Sequence, residues 1–205
     1  MKIFTEKKSG IFLKKFKFNI VKSIYIKKES DLKNALEKIN FPCVMKIFGK
    51  NIIHKKRLKG VELNIKNYKK ALKTFHKFKK IKNIEGVVIQ PQIKKQNEFL
   101  LGLQKTNDFG HVIAFGVGGS DVEKLKKLSF RACPFNKKEA LSLINEFFKN
   151  LNSKEKKLLI KTILKSCKLS KKFPQIKELD INPLVISNNK VIVLDSRIVF
   201  EDKNL

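Results

Sequence analysis

Residues 177–200 read KELDINPLVISNNKVIVLDSRIVF, and this stretch decides the fold class. Four short apolar runs (KELDIN, LVIS, KVIVLD and RIVF) are rich in β-branched residues. Asn188-Asn189 between the second and third suits the two-residue primed turn of a β-hairpin. The C-terminal end is therefore all strand. Upstream, KEKKLLIKTILKSCKL (154–169) sets Leu158, Ile160, Ile163 and Leu164 at helical intervals, and NKKEALSLINEFF (136–148) opens on Asn136, a helix-capping residue type. Two helices leading into a run of strands predict a mixed α+β fold.

Further out the alternation continues. VKSIYI (21–26) is a strand candidate, Ser30 can cap a helix carrying Leu32, Leu36 and Ile39, and Pro42 opens the buried strand CVMKIF (43–48). GVELNI (60–65) is another strand and Asn67 to Lys80 a lysine-faced helix. GVVIQ, EFLLGL and HVIAFG follow as three successive strands. No repeat, low-complexity tract or linker divides the chain.

With 205 residues, 42% hydrophobic and only 9 Gly and 5 Pro, the chain can bury a real core, which excludes disorder and collagen-like structure. No apolar run approaches the ~20 residues of a bilayer span, and the N-terminus lacks a signal peptide's apolar stretch. The expectation is a soluble cytoplasmic protein with no membrane partner. Cys43, Cys133 and Cys167, without CxxC spacing, predict neither a disulfide nor a zinc site, only reduced buried thiols. A formal charge of +29 nominates nucleic acid or an anionic membrane. Against that, Arg57, Arg131 and Arg197 are the only arginines, whereas base and phosphate recognition favours the guanidinium fork. Lysine, isoleucine, asparagine and phenylalanine all have AT-rich codons, so a lysine surface made by compositional drift competes with a nucleic-acid surface.

Some residues could carry chemistry. Asp180, Asn182 and Asp195 fall near the ends of adjacent strands, where hard oxygen ligands suit Mg²⁺ beside a nucleotide; solvated turn residues would look the same. Lys46 alternates against Met45 and Ile47 in an apolar strand, a setting in which lysine meets phosphate, although chance competes in a lysine-rich chain. IIHKKRLKGV (52–61) gathers His54, Lys55, Lys56, Arg57 and Gly60 into either a polyphosphate cradle or a solvated basic loop. FGVGGS (115–120) lacks dinucleotide or P-loop spacing and reads as a tight turn. Arg131 in LSFRACP keeps its planar fork against a lysine background, and Glu98 opens EFLLGL. His76 and His111 have no ligand-spaced partners.

In order, FTEKKSGIFLKKFKFNIVKSIYI, FPCVMKI, NIIHKKRLKGVELNI, IEGVVIQ, NEFLLGL, DFGHVIAFGVGGSDVEKLKKLSFRACP, FPQIKELDINPLVI and VIVLDSRIVF resemble the ATP-grasp β subunit of the ADP-forming acetyl-CoA synthetases, relatives of succinyl-CoA synthetase. The resemblance implies an ATP-grasp fold with two subdomains clasping ADP or ATP. One is a small lid near 21–92, the other a larger part from 1–20 plus 93–205. It implies an α partner that binds CoA and carries the first phosphohistidine, in a hetero-oligomer such as a heterotetramer. The implied reaction is acyl-CoA + ADP + Pi ⇌ acid + CoA + ATP.

Carried across by motif, Lys46 and Glu98 contact the nucleotide, with Lys55 and Gly60 in the cradle. Asn182 and Asp195 ligate Mg²⁺. Asp180 holds an incoming phosphohistidine, His54 is a second phosphoryl carrier, and Arg131 neutralises developing charge. Where the family reads HKSDVGGV this chain has HKKRLKGV, so Lys56, Arg57 and Lys59 replace Ser, Asp and Gly. Pro91 enters the segment lining adenine and removes an N–H. A degenerate regulatory or scaffold subunit and a basic nucleic-acid-binding protein are the alternatives.

Overall fold

The computed structural model describes residues 1–49, 52, 55, 57–94, 97–119 and 127–201. In chain order these form β1 (Lys2–Phe4), α1 (Glu6–Lys15), β2 (Asn19–Ile20) and β3 (Ile24–Ile26). A single 3-10 turn, Glu29–Asp31, leads to α2 (Leu32–Ile39), β4 (Cys43–Phe48), β5 (Val61–Ile65), α3 (Tyr68–Lys79) and β6 (Gly86–Pro91). Next come β7 (Glu98–Thr106), β8 (Gly110–Val117), β9 (Leu128–Ala132), α4 (Lys137–Asn145) and α5 (Ser153–Lys172). The chain then closes with β10 (Ile176–Ser187), β11 (Lys190–Val193) and β12 (Ser196–Phe200). It divides into two units, Val21–Lys94 and Met1–Ile20 with Lys95–Leu205.

The smaller unit is a four-stranded antiparallel sheet in the order β3-β6-β4-β5. Alternation sends Cys43, Met45 and Ile47 of β4 and Val87 and Ile89 of β6 into one core with Leu32, Leu36 and Ile39 of α2 and Phe75 and Phe78 of α3. Each such side chain contributes roughly 2–3 kcal/mol by leaving water. Asn67 caps α3, its side chain accepting from the Lys70 N–H at 2.9 Å. Ser30 does not cap α2. It lies inside the 3-10 turn, so the helix starts one residue later behind Asp31, which makes no side-chain capping bond.

The larger unit is an eight-stranded sheet, β1-β12-β10-β7-β8-β9, with β11 beside β10 and β2 beside β11. One face carries Leu101, Leu103, Ile113, Phe115, Leu179, Ile181 and Ile198 into a core shared with Leu143 and Ile144 of α4 and Leu159 and Ile163 of α5. Asn136 and Asn152 begin α4 and α5 with reciprocal capping boxes closed by Glu139 and Glu155. KELDIN and LVIS are one strand, β10, whose register against β7 shifts between Ile181 and Leu184. Asn188 and Asn189 take φ of 49° and 57°, the primed turn their residue types suit.

GVVIQ, EFLLGL and HVIAFG are strands, but β6 belongs to the other sheet from the β7–β8 hairpin. The cysteine expectation is overturned: Cys133 and Cys167 pair as a disulfide with Cα atoms 5.6 Å apart, and Cys43 alone is a free, buried thiol. Packing of α5 on the sheet sets that pairing across 34 residues of sequence, a distance no local spacing rule reads. No described helix is long and apolar enough to cross a membrane.

Candidate functional site

Because side chains alternate along β10, Leu179 and Ile181 enter the core while Glu178, Asp180 and Asn182 stand on the opposite face. Asp180 lies opposite Arg197 on β12 and opposite Gly102 on β7. Gly102 in turn faces Ala114, and Ala114 faces Phe130 on the edge strand β9. Arg197, Asp180, Gly102, Ala114 and Phe130 therefore form one row across five strands. Burial pushes the Asp180 carboxyl up to about 6, helped by the nearby charges of Asp195 and Glu178 and partly offset by Arg197. The Arg197 guanidinium donates through NH1 to Glu178 Oε1 at 2.8 Å.

At the next step along β10, backbone and side chain of Asn182 are both fixed. Its N–H donates to the Asp195 carbonyl at 3.2 Å, and its Oδ1 accepts from the Gly119 N–H at 2.7 Å. Gly118 donates its N–H to the Glu98 carbonyl at 2.8 Å. A Cβ on Gly118 would collide with the Phe99 backbone, and one on Gly119 would collide with Glu98 Oε2. Gly119 also sits at φ +88°, which favours glycine. The glycines of FGVGGS thus bring Glu98, at the start of β7, against the Asn182–Asp195 corner. Sequence spacing read them only as a tight turn.

The donor set at this corner is hard oxygen, which suits Mg²⁺. Asn182 Oδ1 gives one lone pair to Gly119 and keeps a second. Asp195 raises Asp180 by like-charge repulsion, a cost a divalent cation would relieve. The residues fit the ion, with the remaining positions left to substrate oxygens: among the described residues no group of three His, Cys, Asp or Glu side chains could hold a metal unaided.

In the smaller unit Lys46 falls on the β4 face opposite Met45 and Ile47, as alternation predicts, and is only 8% exposed. Its cross-strand neighbours are Val88 and Val61. Gly60 is buried against Ile47, where a Cβ would collide with the Ile47 side chain. Its N–H donates to the Lys55 carbonyl and its carbonyl accepts from the Ile47 N–H, both at 2.8 Å. Gly60 therefore ties the Lys55 loop back onto the Lys46 strand. Lys59, which replaces a family glycine, holds φ +51°, a left-handed conformation costly to a side chain. His54 and Lys56 lie outside the described residues.

Arg131 is not brought to Asp180. On β9 it lies opposite Ile113, on the helix-covered face, whereas Asp180 stands on the other. There NH2 pairs with Glu146 Oε1 at 2.6 Å, and Ser129 bonds the same carboxylate. Strand alternation thus makes Arg131 a tie between β9 and the end of α4. The arginine in the Asp180 row is Arg197, which the sequence reading passed over. The signal that singled out Arg131, an arginine kept in a lysine-rich chain, applied equally to it.

Residues 1–200 match the ATP-grasp domain family. The chain is 32% identical over 97% of its length to acetate–CoA ligase [ADP-forming] II of Archaeoglobus fulgidus, of which it spans 30%. It is 33% identical over 78% of its length to the β subunit of acetate–CoA ligase [ADP-forming] I of Pyrococcus furiosus, spanning 76% of that subunit. A structure of acetyl-coenzyme A synthetase 1 from Ca. Korarchaeum cryptofilum, in complex with coenzyme A and Ca-AMPCP, has the same fold, with TM-score 0.87, 24% identity, and 98% and 94% of the two chains covered. In another structure of that synthetase, with Mg-AMPPCP, its phosphohistidine segment points towards the nucleotide binding site (TM-score 0.79, 22% identity, 98% and 93% covered).

Proposed function

This chain belongs to the ATP-grasp domain family, among the ADP-forming acetate–CoA ligases, and on that premise we propose that it is their nucleotide-binding part, passing phosphoryl between phosphohistidine and ADP. The observation that carries the reading is the corner where Gly118 and Gly119 set Glu98 against Asn182, with Asp195 bonded to Asn182 and Asp180 one step along the strand. A fold role alone does not call for such a cluster of oxygen donors. The whole reaction, acyl-CoA + ADP + Pi ⇌ acid + CoA + ATP, needs a partner that binds CoA and forms the acyl phosphate.

In the transfer step a β-phosphate oxygen of ADP attacks phosphorus. The new O–P bond forms as the N–P bond of phosphohistidine breaks, and the departing imidazole nitrogen keeps the electron pair; because the other ring nitrogen already carries a proton, the imidazole leaves neutral. Lys46, Lys55 and the Gly60 loop bind nucleotide phosphates, and Glu98 orients the nucleotide. Asp180 accepts the N–H of the incoming imidazole and so fixes which nitrogen carries phosphorus. His54 relays the phosphoryl group. Asn182 and Asp195 are the residues that would hold Mg²⁺, whose charge would neutralise the phosphate oxygens.

Affinity capture of the chain from its source cell tests the assignment. Recovery of a CoA-binding partner, with ATP formation from acyl-CoA, ADP and phosphate by the recovered pair, is expected. A pair that binds CoA but makes no ATP would favour a scaffold subunit.

A further inference from the structure

Arg197 is half-buried on β12, and of its donors NH1 is bonded to Glu178. Its Nε is buried without a hydrogen-bond partner among the described residues. A buried donor left unpaired costs free energy, and an arginine held by one N–H keeps the rest of its fork for a planar or tetrahedral anion. The carboxylates around it are Glu178, its ion-pair partner, Asp180, its register partner, and Asp195, two residues before it on the chain. A dianionic phosphoryl group approaching Asp180 would meet three like charges and, on this row, one cation.

A phosphoimidazole protonated on its second ring nitrogen presents two different faces: an N–H that a carboxylate accepts, and phosphoryl oxygens that need donors. Resting on the phosphoryl-transfer reading above, we propose that Arg197 is the phosphoryl-binding residue for the incoming phosphohistidine, donating to its oxygens while Asp180 takes the imidazole N–H. The ion pair with Glu178 holds the guanidinium beside Asp180. Lysine at this position would keep charge but lose the second, directional donor.

The test is ATP formation by the chain from Mg·ADP and N-phosphoimidazole, a small donor of the same N–P bond. Arg197→Met is expected to lower kcat/KM for the donor at least tenfold, mainly through a higher donor KM, with KM for ADP unchanged within twofold. Arg197→Lys should fall between the two. Glu178→Gln breaks the ion pair that holds the guanidinium and should also raise the donor KM, by less than Arg197→Met does. If Arg197→Met does not fold by circular dichroism, Arg197→Lys carries the test, with a threefold or larger loss expected. Equal donor kinetics in wild type and Arg197 variants would overturn this role and leave the phosphoryl-transfer reading standing. A wild-type chain that makes no ATP from this donor would overturn that reading, and this role with it.

Discussion

Asp180 on β10 and Arg197 on β12 stand directly opposite one another in the sheet, yet the guanidinium reaches along the strand to Glu178. Asp180 keeps a carboxyl that burial and its acidic neighbours make hard to ionise. An oppositely charged pair in register would ordinarily close on itself. Here the arginine's attachment to Glu178 leaves Asp180 beside a cation without spending it, an arrangement suited to a visiting group that carries both a donor and an anion.

The first prediction is a pH dependence of stability. The folded-state value of about 6 for Asp180 exceeds the ~3.9 of an unfolded aspartate, so the native state holds the proton more tightly. That contribution is complete below about pH 4 and is lost as pH rises through about 6. Asp180→Asn should flatten this slope and raise stability at pH 7 by about 1–3 kcal/mol. Denaturant titrations from pH 4 to 7 giving the same slope for both proteins would contradict it.

Asp195 should matter to nucleotide rather than to folding. Its carbonyl, not its side chain, accepts the Asn182 N–H, so Asp195→Ala leaves that backbone bond in place. Calorimetry should find Mg·ADP bound at least tenfold more weakly, with stability changed by less than about 1 kcal/mol. Undiminished Mg²⁺-dependent affinity would remove Asp195 from the metal site.

Two backbone positions make opposite predictions. Gly119→Ala puts a Cβ into Glu98 at φ +88° and should cost about 1–3 kcal/mol. Lys59→Gly relieves a left-handed lysine and should gain up to about 1 kcal/mol. Thermal unfolding of both variants reads the two signs, and a stabilised Gly119→Ala would refute the packing of Glu98 on this turn.

Much of this was legible in the sequence because the signals are local. Asn136 was readable as a cap, Asn188-Asn189 as a primed turn, and Lys46 as a residue turned away from Met45 and Ile47. Long-range pairing hid the rest. Helix α1 was missed because Ser9 and Gly10 weaken its local signal. The structure uses both residues: Ser9 Oγ donates to the Ser196 carbonyl at 2.7 Å, and Gly10 packs closely on Ile20. The edge strand β9 was missed too, and with it the face on which Arg131 stands. Which arginine neighbours Asp180 depends on the β10–β12 register, which no periodicity within one strand reveals.

The lysine surface should behave as a diffuse charge. Binding to DNA or RNA is expected to be weak, independent of sequence, and to fall steeply as salt rises. A nanomolar, sequence-selective complex at physiological salt would revive the nucleic-acid reading.

Phosphoryl exchange between nucleotide and histidine can be measured most directly in reverse, with this chain alone and γ-labelled Mg·ATP. The account predicts label on the protein that is acid-labile and base-stable, as a phosphohistidine is, released as ATP when ADP is added, and absent from His54→Ala. A wild-type chain that takes up no label, or a His54→Ala variant labelled to the same extent, would contradict it.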